Sequence, residues 1–219
     1  MEQLKLKICG MGTAENILAV AALQPDYLGF IFFEASPRNF DGVIPKIDPS
    51  IKKTGVFVNA SLEFILKKVD QYQLNAIQLH GEESAAFCEK LKAAWPDKPI
   101  ELIKVFSIKD HFNFEELEAF EGKVDYFLFD TKGKNKGGNG FTFNWEVLKD
   151  YPSKTPFFLS GGIGLEETNK LKEFSKHLND NGKLELLHAL DVNSKFELRP
   201  GLKNIEELKQ FQTKLNFQL

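Results

Sequence analysis

Short runs of β-branched and aromatic residues return along the chain every two to three dozen positions, with longer amphipathic or charged stretches between them. The runs are Leu4–Cys9, Tyr27–Phe32, Thr54–Val58, Ala76–Leu79, Glu101–Phe106, Tyr126–Asp130, Pro156–Ser160 and Leu186–Val192. Helices are predicted near Ala14–Leu23, Leu62–Tyr72, Glu83–Trp95, Phe114–Phe120, Asn144–Tyr151, Leu165–His177 and Ile205–Leu215. Between Pro37 and Lys53, Pro45 and Pro49 interrupt any regular helix. The repeat is the length of one βα unit, and eight strands alternating with helices favour a closed (β/α)8 (TIM) barrel over an open doubly wound sheet. At 219 residues the chain is near the lower end of what one such barrel needs. No Ser/Gly-rich linker divides it, so residues 1–219 are expected to form a single domain.

The formal charge of −3 gives no reason to expect nucleic acid or an anionic membrane as partner. The longest apolar stretches are strand-length, far short of the roughly 20 residues of a membrane span. The opening MEQLKLKICG alternates lysine with apolar residues and lacks the apolar core and cleavage site of a signal peptide. Two cysteines, Cys9 and Cys88, are too few for a disulfide framework. A cytoplasmic location is therefore expected.

Active sites of such barrels sit at the C-terminal ends of the strands, which reduces the search to what ends each run. In the first, alternation puts Lys5, Lys7 and Cys9 on one face and Leu4, Leu6 and Ile8 on the other. With the apolar set toward the helices, Cys9 stands at the top of the interior. It is either a small buried hydrophobe or a base whose pKa is lowered by positive charge, for which Lys7 is one source. Cys88, inside a helical pattern, reads as a packing residue. Asp130 ends the apolar sixth run; a carboxylate there braces a loop or does chemistry, and partial burial would suit it to a general acid. Among 28 Lys and Arg residues only Arg38 and Arg199 are arginines. Arg38, in the loop after the second run, offers the planar fork that pairs with a carboxylate or phosphate, or simply braces its loop. Gly161-Gly162 after the seventh run and Asn193-Ser194 after the eighth occupy the two loops that often hold a phosphate in these barrels. His80, on one face with Gln78, lines the site or bonds to a loop carbonyl. Lys136–Gly140, containing Gly138, reads as a mobile lid or as plain flexibility. His111, His177 and His188 form no metal-ligand spacing, so no catalytic metal is expected.

Taken together, Lys7-Ile-Cys-Gly10, Ser36-Pro-Arg38, Gly55-Val-Phe-Val-Asn59, Gln78-Leu-His-Gly81, Asp130, Gly137-Gly-Asn-Gly140, Ser160-Gly-Gly162, Ala189-Leu-Asp-Val-Asn-Ser194 and Pro200-Gly201 resemble the phosphoribosylanthranilate isomerase family, in the family's order and across nearly the whole chain. The resemblance implies a cofactor-free Amadori rearrangement in tryptophan biosynthesis, taking N-(5-phosphoribosyl)anthranilate to 1-(2-carboxyphenylamino)-1-deoxyribulose 5-phosphate. Asp130 then matches the general acid at the ribose ring oxygen and Cys9 the general base at C2′. Arg38 matches the holder of the anthranilate carboxylate. Gly161, Gly162, Asn193 and Ser194 match the phosphate site, with Lys7, His80 and Gly138 in support. The sequence leaves the assembly open between monomer and homodimer.

The chain departs from the family pattern at Met11-Gly12, Asn144, Lys195, Phe196 and Asn204. Lys195 bears on the phosphate loop and could add charge there. The rivals are the related sugar-phosphate isomerase of histidine biosynthesis, indole-glycerol-phosphate synthase, and an inactive barrel that only binds a phosphate ligand. The first would carry aspartate in place of Cys9, the second a catalytic lysine and glutamates that have no counterpart at these strand ends. Intact Cys9, Asp130 and Arg38 argue against the third.

Overall fold

The structure, a computed structural model, describes residues 4–96, 99–109, 111–131 and 144–216. Eight parallel strands close into a barrel in chain order: β1 (Lys5–Ile8), β2 (Tyr27–Ile31), β3 (Lys52–Phe57), β4 (Ala76–Leu79), β5 (Glu101–Ile108), β6 (Tyr126–Thr131), β7 (Phe157–Leu159) and β8 (Leu187–Val192). The expected (β/α)8 architecture is therefore present. β8 pairs with β1 in the register Lys7↔Asp191, which closes the ring. As alternation requires, Leu6 and Ile8 join the apolar layer beneath the helices while Lys7 turns inward and is fully buried.

Helices α1 (Ala14–Ala21), α2 (Leu62–Tyr72) and α3 (Ala85–Ala93) each start at a hydroxyl N-cap. Thr13, Ser61 and Ser84 accept from the backbone N–H three residues on, which satisfies a donor the first turn leaves over. α4 (Thr168–Asp180) follows a short 3-10 turn at Leu165–Glu167, and α5 (Ile205–Asn216) ends the described chain. Cys88 is buried in the core under α3, as a packing residue should be.

Three expectations need correction. Phe114–Phe120 and Trp145–Asp150 are 3-10 turns, not α-helices. Their apolar anchors recur at every third residue, Phe114, Leu117 and Phe120 in one and Trp145, Leu148 and Tyr151 in the other. A helix of three residues per turn keeps all of them on one side. Strict strand–helix alternation also fails after β2, where residues 32–51 contain no helix; Phe40 pins this segment by ring contacts with Phe30, Phe32 and Tyr72. Beyond β8 the chain forms a 3-10 turn (Ser194–Phe196) and a small antiparallel hairpin, β9 (Glu197–Arg199) and β10 (Leu202–Lys203), before α5. No described helix is long and apolar enough to cross a membrane.

The lower end of the barrel is plugged by Tyr27, Tyr126, Phe158 and His188, whose rings meet edge-on or tilted. A register shift between β7 and β8 accompanies His188's inward turn, where it hydrogen-bonds the Tyr27 hydroxyl at 2.9 Å. Burial, helped by the charges of Lys5 and Lys52, pushes the imidazole pKa down to about 3. The unfolded chain takes up this proton near pH 6.5. Between pH 6.5 and 3 only the unfolded state therefore binds it, so the stability tied to neutral His188 is complete above 6.5 and is lost as pH falls. His188→Phe should flatten this dependence: denaturant unfolding at pH 7.5 and 5.0 is expected to show a smaller stability loss in the variant than in wild type. Equal losses would remove His188 from the account.

Candidate active site

The upper ends of the strands surround a cleft of about 750 Å³ including its open mouth. Cys9 enters it from the end of β1, Arg38 from the loop after β2, His80 from the end of β4 and Asp130 from β6. Gly161 and Gly162 line it after β7, Asn193 and Ser194 after β8. These eight sequence-predicted residues thus share one cavity. Lys7 sits behind Cys9, while Gly138 and the rest of the Lys136–Gly140 segment lie outside the described residues.

Electrostatics in the cleft start from the barrel seam. Lys7 and Asp191 are register partners on β1 and β8, and Lys7 Nζ donates to Asp191 Oδ1 at 2.8 Å. Burial opposes both charges. For Lys7 the attraction of Asp191 and Cys9 outweighs it and holds the ammonium above the ordinary lysine range. For Asp191 burial outweighs the pull of Lys7 and leaves the carboxyl above its ordinary value. At this distance, with no solvent contact at Lys7, the two stand as ammonium and carboxylate.

Lys7 does pull the Cys9 thiol down, as expected, and Lys203 helps. Burial and the Asp191 charge win, however, and raise the thiol above its ordinary value. Of the two readings the sequence left open for Cys9, a small buried hydrophobe or a base with lowered pKa, the resting thiol does not show the lowered pKa: depth of burial outweighs the neighbouring cation. The sulfur also has a shaped seat. A Cβ on Gly29 of β2 would come within 2.6 Å of Cys9 Sγ, so only glycine leaves room for it.

Across the cleft, His80 Nε2 approaches Asp130 Oδ2 at 3.5 Å, while Gln78 Nε2 lies 3.4 Å from His80 Nδ1. His80 therefore faces Asp130 rather than a loop carbonyl. At the far end, Gly161 has φ +88° and Gly162 +69°. A Cβ on Gly161 would collide with the Thr131 backbone at 2.6 Å, so this turn is closed to other residues. Its neighbouring N–H, on Gly164, is already taken by the Glu167 carboxylate at 2.8 Å. The exposed Lys195 side chain borders the same end of the cleft.

Sequence reasoning missed Asp191, Glu197 and Lys203. For Asp191 the signal was available, since it lies two positions beyond inward-facing Ala189 and a buried Lys7 demands a counter-charge. Glu197 was hidden by sequence distance. It accepts from Arg38 Nε at 3.0 Å and Nη2 at 2.7 Å across 159 positions. Arg38 therefore makes a bidentate ion pair as well as lining the cleft.

The N-(5'phosphoribosyl)anthranilate (PRA) isomerase family model matches residues 6–214. The N-(5'-phosphoribosyl)anthranilate isomerase of Parabacteroides distasonis is 41% identical over 212 residues, covering 94% of this chain and 90% of the relative. The crystal structure of the phosphoribosyl anthranilate isomerase of Thermotoga maritima is similar at a TM-score of 0.76, with 26% identity over 98% of this chain and all of that one. A phosphoribosyl anthranilate isomerase in complex with reduced 1-(o-carboxyphenylamino)-1-deoxyribulose 5-phosphate aligns at a TM-score of 0.71, with 26% identity over 98% and 100% of the two chains. The match spans the barrel from its first strand to its last helix, and by it the chain belongs to the N-(5'-phosphoribosyl)anthranilate isomerase family.

Proposed function

We propose that Asp130 and Cys9 are the acid and base of the isomerisation this chain catalyses, with residues 1–219 acting as one domain. One observation carries the assignment: a carboxyl from β6 and a thiol from β1 enter the same cleft, between an arginine on one side and a glycine turn on the other. The substrate, N-(5-phosphoribosyl)anthranilate, has a carboxylate at one end and a phosphate at the other. The related structure bound to reduced 1-(o-carboxyphenylamino)-1-deoxyribulose 5-phosphate supports a ligand of this shape.

Protonated Asp130 gives its proton to the ribose ring oxygen, and the C1′–O bond breaks to leave an iminium. Cys9 as thiolate takes the C2′ proton, and the electron pair of that C–H bond forms the enolamine. Tautomerisation of the enolamine places a carbonyl at C2′. At rest Cys9 is a thiol, so its proton leaves to water once the iminium forms; taking the C2′ proton restores the thiol, Asp130 regains its proton from water, and the cycle closes with no net proton consumed. His80, 3.5 Å from Asp130, stands where it can orient that carboxyl. The raised pKa of Cys9 fits this sequence of events. The thiol stays protonated until the iminium places a positive charge beside it, which lowers its pKa when a base is needed. Arg38 holds the anthranilate carboxylate, and the turns at Gly161-Gly162 and Asn193-Ser194, with Lys195 beside them, receive the phosphate.

Cys9→Ser and Asp130→Asn are each expected to lower kcat at least ~100-fold when loss of substrate fluorescence is followed, the scale of losing an acid or a base. A near-normal Cys9→Ser enzyme would mean that another group is the base. Gly29→Ala should lower kcat by about tenfold or more while the barrel stays folded, because the sulfur must move. In wild type without substrate, the Cys9 thiolate should appear with a midpoint above the ordinary cysteine value of 9.0, read as the ultraviolet absorbance difference between wild type and Cys9→Ser. A midpoint below 9.0 would contradict substrate-assisted ionisation. Lys195→Ala should raise KM several-fold with kcat held, as expected for an exposed charge near a phosphate.

A further inference from the structure

Behind Arg38 lies a buried charged cluster that ties the loop after β2 to the turn after β8. The Glu197 carboxylate accepts from Arg38 Nε and Nη2, from Lys203 Nζ at 2.8 Å and from the Gly201 N–H at 3.1 Å. Lys203 has no exposed side-chain surface. Its Nζ donates to Glu197 Oε1, to Asn193 Oδ1 at 2.7 Å and to the Asn193 carbonyl at 3.4 Å. Burial pulls the Lys203 ammonium below the ordinary lysine range against the attraction of Glu197, while the three acceptors around Nζ match the three N–H donors of the charged form. Burial would raise the Glu197 carboxyl, but the Arg38 hydrogen bonds and the Lys203 charge hold it below the ordinary range. The lysine backbone is fixed as well: Asn16 on α1 accepts from Lys203 N at 2.8 Å and donates to Lys203 O at 3.0 Å.

We infer that the Lys203–Glu197 pair positions Arg38 for the substrate carboxylate and locks that setting to the Asn193-Ser194 phosphate turn. The inference rests on the roles given above to Arg38 and that turn.

Two physical points lead to it. First, Glu197 takes the Nε–Nη2 edge of the guanidinium, which leaves the Nη1–Nη2 edge as a second two-pronged donor face toward a ligand. An arginine held on one edge gives up less rotamer freedom on binding than one hanging free in a loop. Second, Arg38 and Glu197 alone form a neutral pair with little net attraction for an anion. Lys203 restores a net positive charge and anchors the cluster to Asn193. The spacing between the carboxylate and phosphate sites is thereby set by one rigid hub rather than by two independent loops.

The test compares two inhibitors, reduced 1-(2-carboxyphenylamino)-1-deoxyribulose 5-phosphate and its phenylamino counterpart lacking the carboxylate. Their affinity ratio isolates the carboxylate arm, because both carry the phosphate. Wild type should prefer the first strongly, and Arg38→Met should abolish the preference. Lys203→Met should cut it at least about tenfold, with no further loss when combined with Arg38→Met. If Arg38→Met leaves the preference unchanged, the reading of Arg38 itself fails. If Arg38→Met abolishes it and Lys203→Met preserves it, the positioning role is overturned while that reading stands. A measurement on the wild-type protein needs no folded variant. With only two arginines, the arginine Nε–H region of an ¹⁵N spectrum holds two signals, and Arg199→Lys identifies the other one. The Arg38 signal should exchange slowly with water; fast exchange at neutral pH would overturn the proposal.

Discussion

The polar half of this barrel depends on one ion pair at its seam. The register that closes β8 onto β1 sets Lys7 beside Asp191, both inside the ring and both buried. Neither charge could be kept there alone, since a lone buried ion costs several kcal/mol or neutralises itself by proton exchange. Together they place a cation and its counter-ion next to the Cys9 sulfur. The thiol's chemistry is then decided by the balance among burial, Lys7 and Asp191. A barrel closed one residue out of register would turn every one of these side chains outward, so fold and site are fixed by the same hydrogen bonds.

The interior divides into two tiers with different tasks. Below, the rings of Tyr27, Tyr126 and Phe158 with His188 fill the space and exclude water. Above, the inward positions become Cys9, Gln78, Asp130, Ser160 and Asp191. The apolar tier provides the rigid base from which the polar groups are held at fixed separations. Glycine at position 29 shows how closely the upper tier is fitted, since its missing side chain is the space the sulfur occupies.

Much of this was legible in the sequence because alternation of period two survives even in short strands. It placed Lys7, Cys9 and Asp130 inward, and the architecture rule then gathered the strand ends into one cleft. The 3-10 turns were read as helices because a three-residue apolar spacing fits the opening of either helix type. The β9–β10 hairpin left no signal, its strands being three and two residues long with a polar pattern. The direction of the Cys9 pKa depends on depth of burial, and a local reading sees the nearby lysine but not the depth. Departures from the family pattern mostly resolve into equivalent physics. Asn144 caps its turn through Glu146 N, and Asn204 accepts from Glu207 N at the start of α5. Phe196 fills a core position against Phe211.

The base role proposed for Cys9 also accounts for a cleft whose charges cancel. A thiolate stabilised permanently by a lone cation would be a weaker base and a more exposed target for oxidation. A thiol in a purely apolar pocket would not ionise near neutral pH. With Lys7 countered by Asp191, the resting group stays protonated yet has a cation in contact with it, and the remaining drive to ionise comes from the positive charge that ring opening creates in the substrate. On the proposed assignment of Cys9 as base, the thiolate is thereby most populated in the intermediate that needs it. That is the condition for catalysis rather than mere binding: an interaction that grows along the reaction coordinate lowers the barrier, whereas one present from the start does not.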